Sequence, residues 1–192
     1  VCGGHIGRAK RLATDQGARE QRLTALGLAR AATVPARAYA AAEELVHSAE
    51  AAAKAISAER DARELEELMT AFGAGGTGRG TARVMRGSAG AIKDLEKRQK
   101  SRATRLARDM IDRALVDLFS VYRDALVLRS RGRSPLINED SRAVVEQVAQ
   151  SLSDERLLLA MESIGTARER IAHNAAPLLA LEAMALDLRL PR

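Results

Sequence analysis

Apolar residues recur along this chain at spacings of three and four, the repeat of one face of an α-helix. Ile6, Ala9, Leu12 and Ala13 mark a short first helix, opened by the Gly3-Gly4 turn and ended at Thr14-Asp15 and Gly17. A second helix, about residues 18 to 31, carries Leu23, Leu26 and Ala29 before Thr33-Val34-Pro35. The residue before a proline disfavours helix and proline suits a first turn, so a new helix is predicted from Pro35 to Phe72. Its stripe of Ala38, Ala42, Leu45, Val46, Ala49, Ala53 and Ile56 stops, and Leu65, Leu68, Met69 and Phe72 resume it about 180° round the axis. Either this helix is interrupted or its end faces a second partner.

Residues 73–90 hold seven glycines, a density that predicts a flexible connector, since each costs about 1 kcal/mol relative to Ala inside a helix. The next helix is expected from about Ala91 to Leu128. Its second half has a core face of Leu106, Met110, Ile111, Ala114, Leu115, Leu118, Phe119, Tyr122 and Leu126, whereas Lys93 to Arg105 has few apolar residues. A basic turn with Gly132 and Pro135 follows, and Asn138 with Glu139 and Asp140 is a helix start leading to about Leu152. Ser153 caps a last stretch in which Leu157, Ile164, Ile171 and Leu178 fall seven apart, with Met161, Arg168, Ala175 and Glu182 as companions. Pro177 should kink or restart it, with Asn174 placed to cap the second part. The fold class expected is all-α, a multi-helix bundle with long antiparallel helices.

Composition agrees. Aromatics are 2% of the chain while apolar residues reach 46%, enough for a core but poor material for strands. Of 31 basic residues only five are Lys, and the net charge of +6 is carried mainly by guanidinium groups, which pair with carboxylates and phosphates alike. The single cysteine, Cys2, excludes an internal disulfide and a multi-thiolate metal site, and suits a reducing cytosol. No apolar run is long enough to cross a bilayer and no signal-peptide plan opens the chain, so a soluble, cytoplasmic protein is expected. The chain begins Val1-Cys2-Gly3 without Met, which points to a piece of a longer polypeptide.

Candidate chemistry is sparse. The segment Lys93 to Arg105 has six basic and two acidic residues, with Arg98, Arg102 and Arg105 on one helical face. Together with Lys97 these are candidate contacts for DNA or a partner, although a solvated charged face is the simpler account because no aromatics are interleaved to stack bases. Gly73 to Thr81 lacks the Lys-Ser/Thr pair and preceding strand of a phosphate loop, and Cys2 with His5 lacks companion ligands for zinc. Neither cofactor nor metal is expected. Glu43, Glu44, Glu66 and Glu67 sit on long polar helix faces without a nucleophile. Arg168 and Glu182 fall on an apolar stripe, where a charge must be matched, and Arg123 is the partner expected for Glu182.

Several stretches together resemble the delta-prime family of bacterial clamp-loader subunits of DNA polymerase III along nearly the whole chain. They are Gly4 to Ala13, Lys93 to Arg105, Tyr122-Arg123-Asp124 and Asn174 to Ala183. The resemblance implies that residues 1–20 are the end of an AAA+ lid module and that residues 21–192 form the helical collar through which five related subunits join into a ring. It also implies that Gly7 stands at the place of the sensor-2 arginine of motor subunits, fitting a subunit that does not hydrolyse ATP, with Arg8 as its neighbour. Arg123, Asp124, Arg168, Asn174 and Glu182 are then candidate polar contacts of the collar. The implied partners are the motor and clamp-opening subunits, with DNA reached through the full complex, and no ATPase activity is expected of this chain. A stand-alone basic DNA-binding protein or a helical regulatory adaptor are the alternatives.

Overall fold

The structure, a computed structural model, describes residues 6–32, 35–72 and 81–189. Among them are seven α-helices and no strand: α1 (Ile6–Thr14), α2 (Gln16–Ala32), α3 (Pro35–Ala71), α4 (Thr81–Arg129), α5 (Arg142–Ser151), α6 (Asp154–Ala172) and α7 (Pro177–Arg189), with a 3-10 turn at Glu139–Ser141 before α5. The fold is all-α, as the spacing of apolar positions predicts. The Gly3-Gly4 turn, Cys2, His5, Val34 and the segment 73–80 fall outside the described residues. The chain divides into two units, Val1–Ala49 with Arg108–Arg192, and Glu50–Ala107, the boundaries falling within α3 and α4.

In the first unit the predicted heptad Leu157, Ile164 and Ile171 of α6 is buried, as are Leu181, Met184 and Leu188 of α7, which packs on α6. α4 adds Ile111, Leu115, Leu118 and Tyr122, and α2 adds Leu26 and Leu28. Each such aliphatic side chain contributes about 1.5–3 kcal/mol by leaving water. Small residues let helices approach closely, and Ala25, Ala29, Ala38 and Ala42 are fully enclosed. Phe119 departs from its predicted core position and is 36% exposed, because the neighbouring positions Ser120 and Asp124 turn inward instead.

Pro177 restarts the chain as a separate helix. Asn174 closes α6 rather than capping α7: it takes a left-handed φ of 69°, and the N–H groups of Asn174 and Ala175 donate to the carbonyls of Ile171 (3.1 Å) and Arg170 (2.9 Å). These two bonds satisfy carbonyls that a helix end would otherwise leave open. α4 ends the same way, with Arg131 at φ 52° and Gly132 N–H donating to Val127 O at 2.9 Å. Here the left-handed residue precedes the glycine that marks the turn. Ser153 caps α6 as expected, accepting from the N–H of Arg156 at 3.3 Å.

In the second unit Ala53, Ser57, Leu95 and Ala107 are buried. α3 is uninterrupted, and its stripe, still buried at Ala53, breaks within the second unit, which begins at Glu50. Ile56, expected in the stripe, is 60% exposed, and Ser57 is buried beside it. α4 begins at Thr81, ten residues before the expected start, and takes in Gly87 and Gly90. Elongating a formed helix adds one hydrogen bond per residue, and this outweighs two isolated glycines among better helix formers.

Candidate functional site

Asp117, Ser120 and Asp124 lie at i, i+3 and i+7 on α4, so they stack on one face of the helix, among buried apolar residues such as Leu118 and Val121. All three are buried, as are Arg22 of α2 and Asn138 of the turn before α5. Asp124 Oδ2 accepts from the Asn138 backbone N–H at 2.7 Å and from Asn138 Nδ2 at 2.9 Å, while Oδ1 accepts from Arg123 Nη1 at 2.7 Å. Asn138 Nδ2 also donates to Ser120 Oγ at 3.0 Å. Arg22 bridges the rest, donating to Asp117 Oδ1 (3.1 Å), Asn138 Oδ1 (2.9 Å) and Asp140 Oδ1 (3.0 Å). Arg8 of α1 meets Asp117 as well.

Three arginines thus face three aspartates around one asparagine. Burying such charges is costly unless each finds a partner, and here the partners come from four separate segments. The arrangement holds α1, α2 and the turn before α5 against α4. It also explains why α5 starts at Arg142 and not at Asn138: the Asn138 side chain makes no cap and is drawn inward instead. Of this cluster the sequence points to Arg123 and Asp124 as polar contacts, to Asn138 and Asp140 only as a helix start and to Arg8 only beside the sensor-2 place, and not to Arg22, Asp117 or Ser120. The polar line 117, 120, 124 within the densely apolar second half of α4 is the signal that could have found it.

The other candidates are dispersed. The expected Arg123–Glu182 pair does not form: Arg123 engages Asp124 and the Pro135 carbonyl (2.8 Å), twelve residues along its own chain, and Glu182 is half-buried on α7. Arg168 is matched by Asp112, its Nε and Nη2 donating to the two carboxylate oxygens at 2.7 and 3.2 Å, a fork that keeps the guanidinium more firmly protonated than usual. Asn174 Oδ1 accepts from Arg108.

In the second unit the basic face is divided. Lys97, Arg98 and Arg105 are exposed, whereas Arg102 donates to Glu64 (3.0 and 2.8 Å) and to Asp61 on α3, and Gln99 reaches the Asp61 carbonyl at 2.9 Å. The Arg102 hydrogen bonds, followed by that from Arg60, hold the Glu64 carboxyl down to about 2 from its ordinary 4.5. A carboxylate depressed in the folded state stabilises above its unfolded value and loses that contribution as pH falls towards the folded one. We therefore expect the melting temperature of Glu64→Gln to be less sensitive to acidification between pH 4.5 and 2 than that of the unaltered chain; equal slopes in thermal melts would count against this link.

Among the described residues no helix is long and apolar enough to cross a membrane, and no group of His, Cys, Asp and Glu could hold a metal ion. Residues 97–189, just under half of the chain, match the family described as DNA polymerase III, delta subunit, C terminal. The match begins within the basic segment of α4 and runs through α7, and it takes in Asp117, Ser120, Asp124 and Asn138 but not Arg22. No curated protein and no solved structure matches the chain. The matched family is a non-catalytic component of the clamp loader. The carboxy-terminal half of the chain is thus similar to the C-terminal region of the delta subunit of DNA polymerase III.

Proposed function

We propose that the chain is the collar of a clamp-loader subunit of the delta-prime type, which locks its parent into a heteropentameric ring that loads the sliding clamp onto primed DNA in the cytoplasm. One observation carries the reading. The segment similar to the delta C-terminal region, α4 to α7, also bears large apolar side chains outside its own core, at Leu158, Leu179 and Leu186. A helical domain that keeps such residues in water has a surface suited to sister subunits. On this reading residues 1–20 close the lid module, Gly7 stands at the sensor-2 arginine place, and the chain binds no cofactor of its own.

The test is co-purification of the tagged full-length protein with the motor and clamp-opening subunits. Recovery together with a separate clamp-opening subunit supports a delta-prime role. Recovery in place of that subunit would reassign the chain as delta, and recovery with neither would end the proposal. Exposure of Lys97, Arg98 and Arg105 favours a second role, contact with the DNA phosphates. Neutralising all three should then weaken DNA binding by the assembled loader and flatten its dependence on salt, by about 0.9 in log-log slope per lost contact.

A further inference from the structure

Between α1, α2 and α4, wholly within the first unit, lies a pocket of about 100 Å³. Arg8, Arg11, Arg22 and Arg113 line it, and Asp117 is the carboxylate among the lining residues. Arg8 and Arg22 both turn to Asp117. Arg11 has only a long contact to Asp15 (3.4 Å), four residues on along the chain and half in water. Arg113 is lowered in basicity first by partial burial and then by the charge of Arg11, while Asp112 beside it is engaged by Arg168. Asp109 and Asp112 oppose that lowering from outside the lining, but among the lining residues themselves two guanidinium groups at the rim exceed what Asp117 can match.

Below this rim the pocket is apolar, with Leu12, Met110 and Ala114. An inorganic phosphate would press polar oxygens against that apolar part of the lining and bring its charge close to Asp117, both unfavourable. At about 100 Å³ the space is smaller than the roughly 150 Å³ cavity that takes up benzene, so a branched aliphatic side chain suits it better than an aromatic ring. We propose that this pocket receives an acidic peptide segment of a partner protein, whose carboxylates pair with Arg11 and Arg113 while one aliphatic side chain enters between the helices. Charge complementarity selects the segment, and the apolar floor distinguishes it from a polyphosphate or nucleic acid. The inference stands independently of the clamp-loader reading.

Fluorescence anisotropy on the 192-residue chain tests it with a labelled Asp/Glu-rich peptide carrying one leucine, and with a counterpart carrying serine at that place. The leucine peptide should bind about tenfold more tightly, the least that burying such a side chain is worth. Arg113→Ala and, separately, Arg11→Ala should each weaken it by about tenfold, with the helical circular dichroism unchanged because both side chains reach solvent. Absence of binding, equal affinity for the two peptides, wild-type affinity in both variants, or displacement by equimolar pyrophosphate or duplex DNA would each overturn the proposal.

Discussion

Replacing Asp124 by Ala is expected to lower the melting temperature by roughly 6–20 °C. Asp124 is fully buried and accepts three hydrogen bonds, two from Asn138 and one from Arg123. Its removal leaves the Asn138 N–H without its acceptor and the Asn138 amide with Ser120 Oγ alone, deep in the first unit. Breaking a buried charged contact from one side costs about 3–5 kcal/mol, and each kcal/mol moves the midpoint by about 2–4 °C for a chain of this size. Asp124→Asn keeps the shape and one acceptor oxygen and should fall between the two. Because the cost comes from stranded partners, Asp124→Leu with Asn138→Leu should be less damaging than the sum of the single changes. A shift under about 2 °C for Asp124→Ala in calorimetry would show that water or local rearrangement replaces the lost acceptor.

The same cluster shows where the sequence stops being legible. Helix number and class follow from spacing alone, because burial of one face repeats every three to four residues whatever the tertiary partner. Ser153 and Pro177 act locally, and their predicted roles at the start of α6 and between α6 and α7 agree with the structure. Asn174 and Asn138 do not, since each could serve a local cap or a distant partner and only the packed fold decides: Asn174 closes α6, and Asn138 is claimed by Ser120, Asp124 and Arg22. Arg123 and Glu182 illustrate the same limit for charge pairs. A buried or half-buried charge must be matched, but the sequence does not say by which residue, and Pro135 supplies a carbonyl that no count of charges would suggest. Arg22, 95 residues from Asp117, is beyond any reading by local spacing.

Two leucines on α7 should separate folding from assembly. Leu181 is fully buried, on the side of the helix shared with Met184, Ala185 and Leu188, and Leu181→Ala should cost about 2–5 kcal/mol by leaving a cavity in the first unit. Leu179 is 66% exposed and, with Leu186 seven residues on, marks the other side of the same helix. Leu179→Glu should change stability by no more than about 0.5 kcal/mol, as a surface substitution does. If that side is covered by a sister subunit, however, the introduced carboxylate is buried without a partner on assembly, and the co-purified complex should fall at least tenfold, since stranding a charge costs several kcal/mol. Thermal melts of the two variants beside their yields in the complex check this directly. Leu181→Ala would lose both folding and assembly, whereas Leu179→Glu would lose assembly alone. A Leu179→Glu protein that folds and still enters the complex at the normal yield would mean that α7 is apolar on both sides for some reason other than the clamp-loader ring.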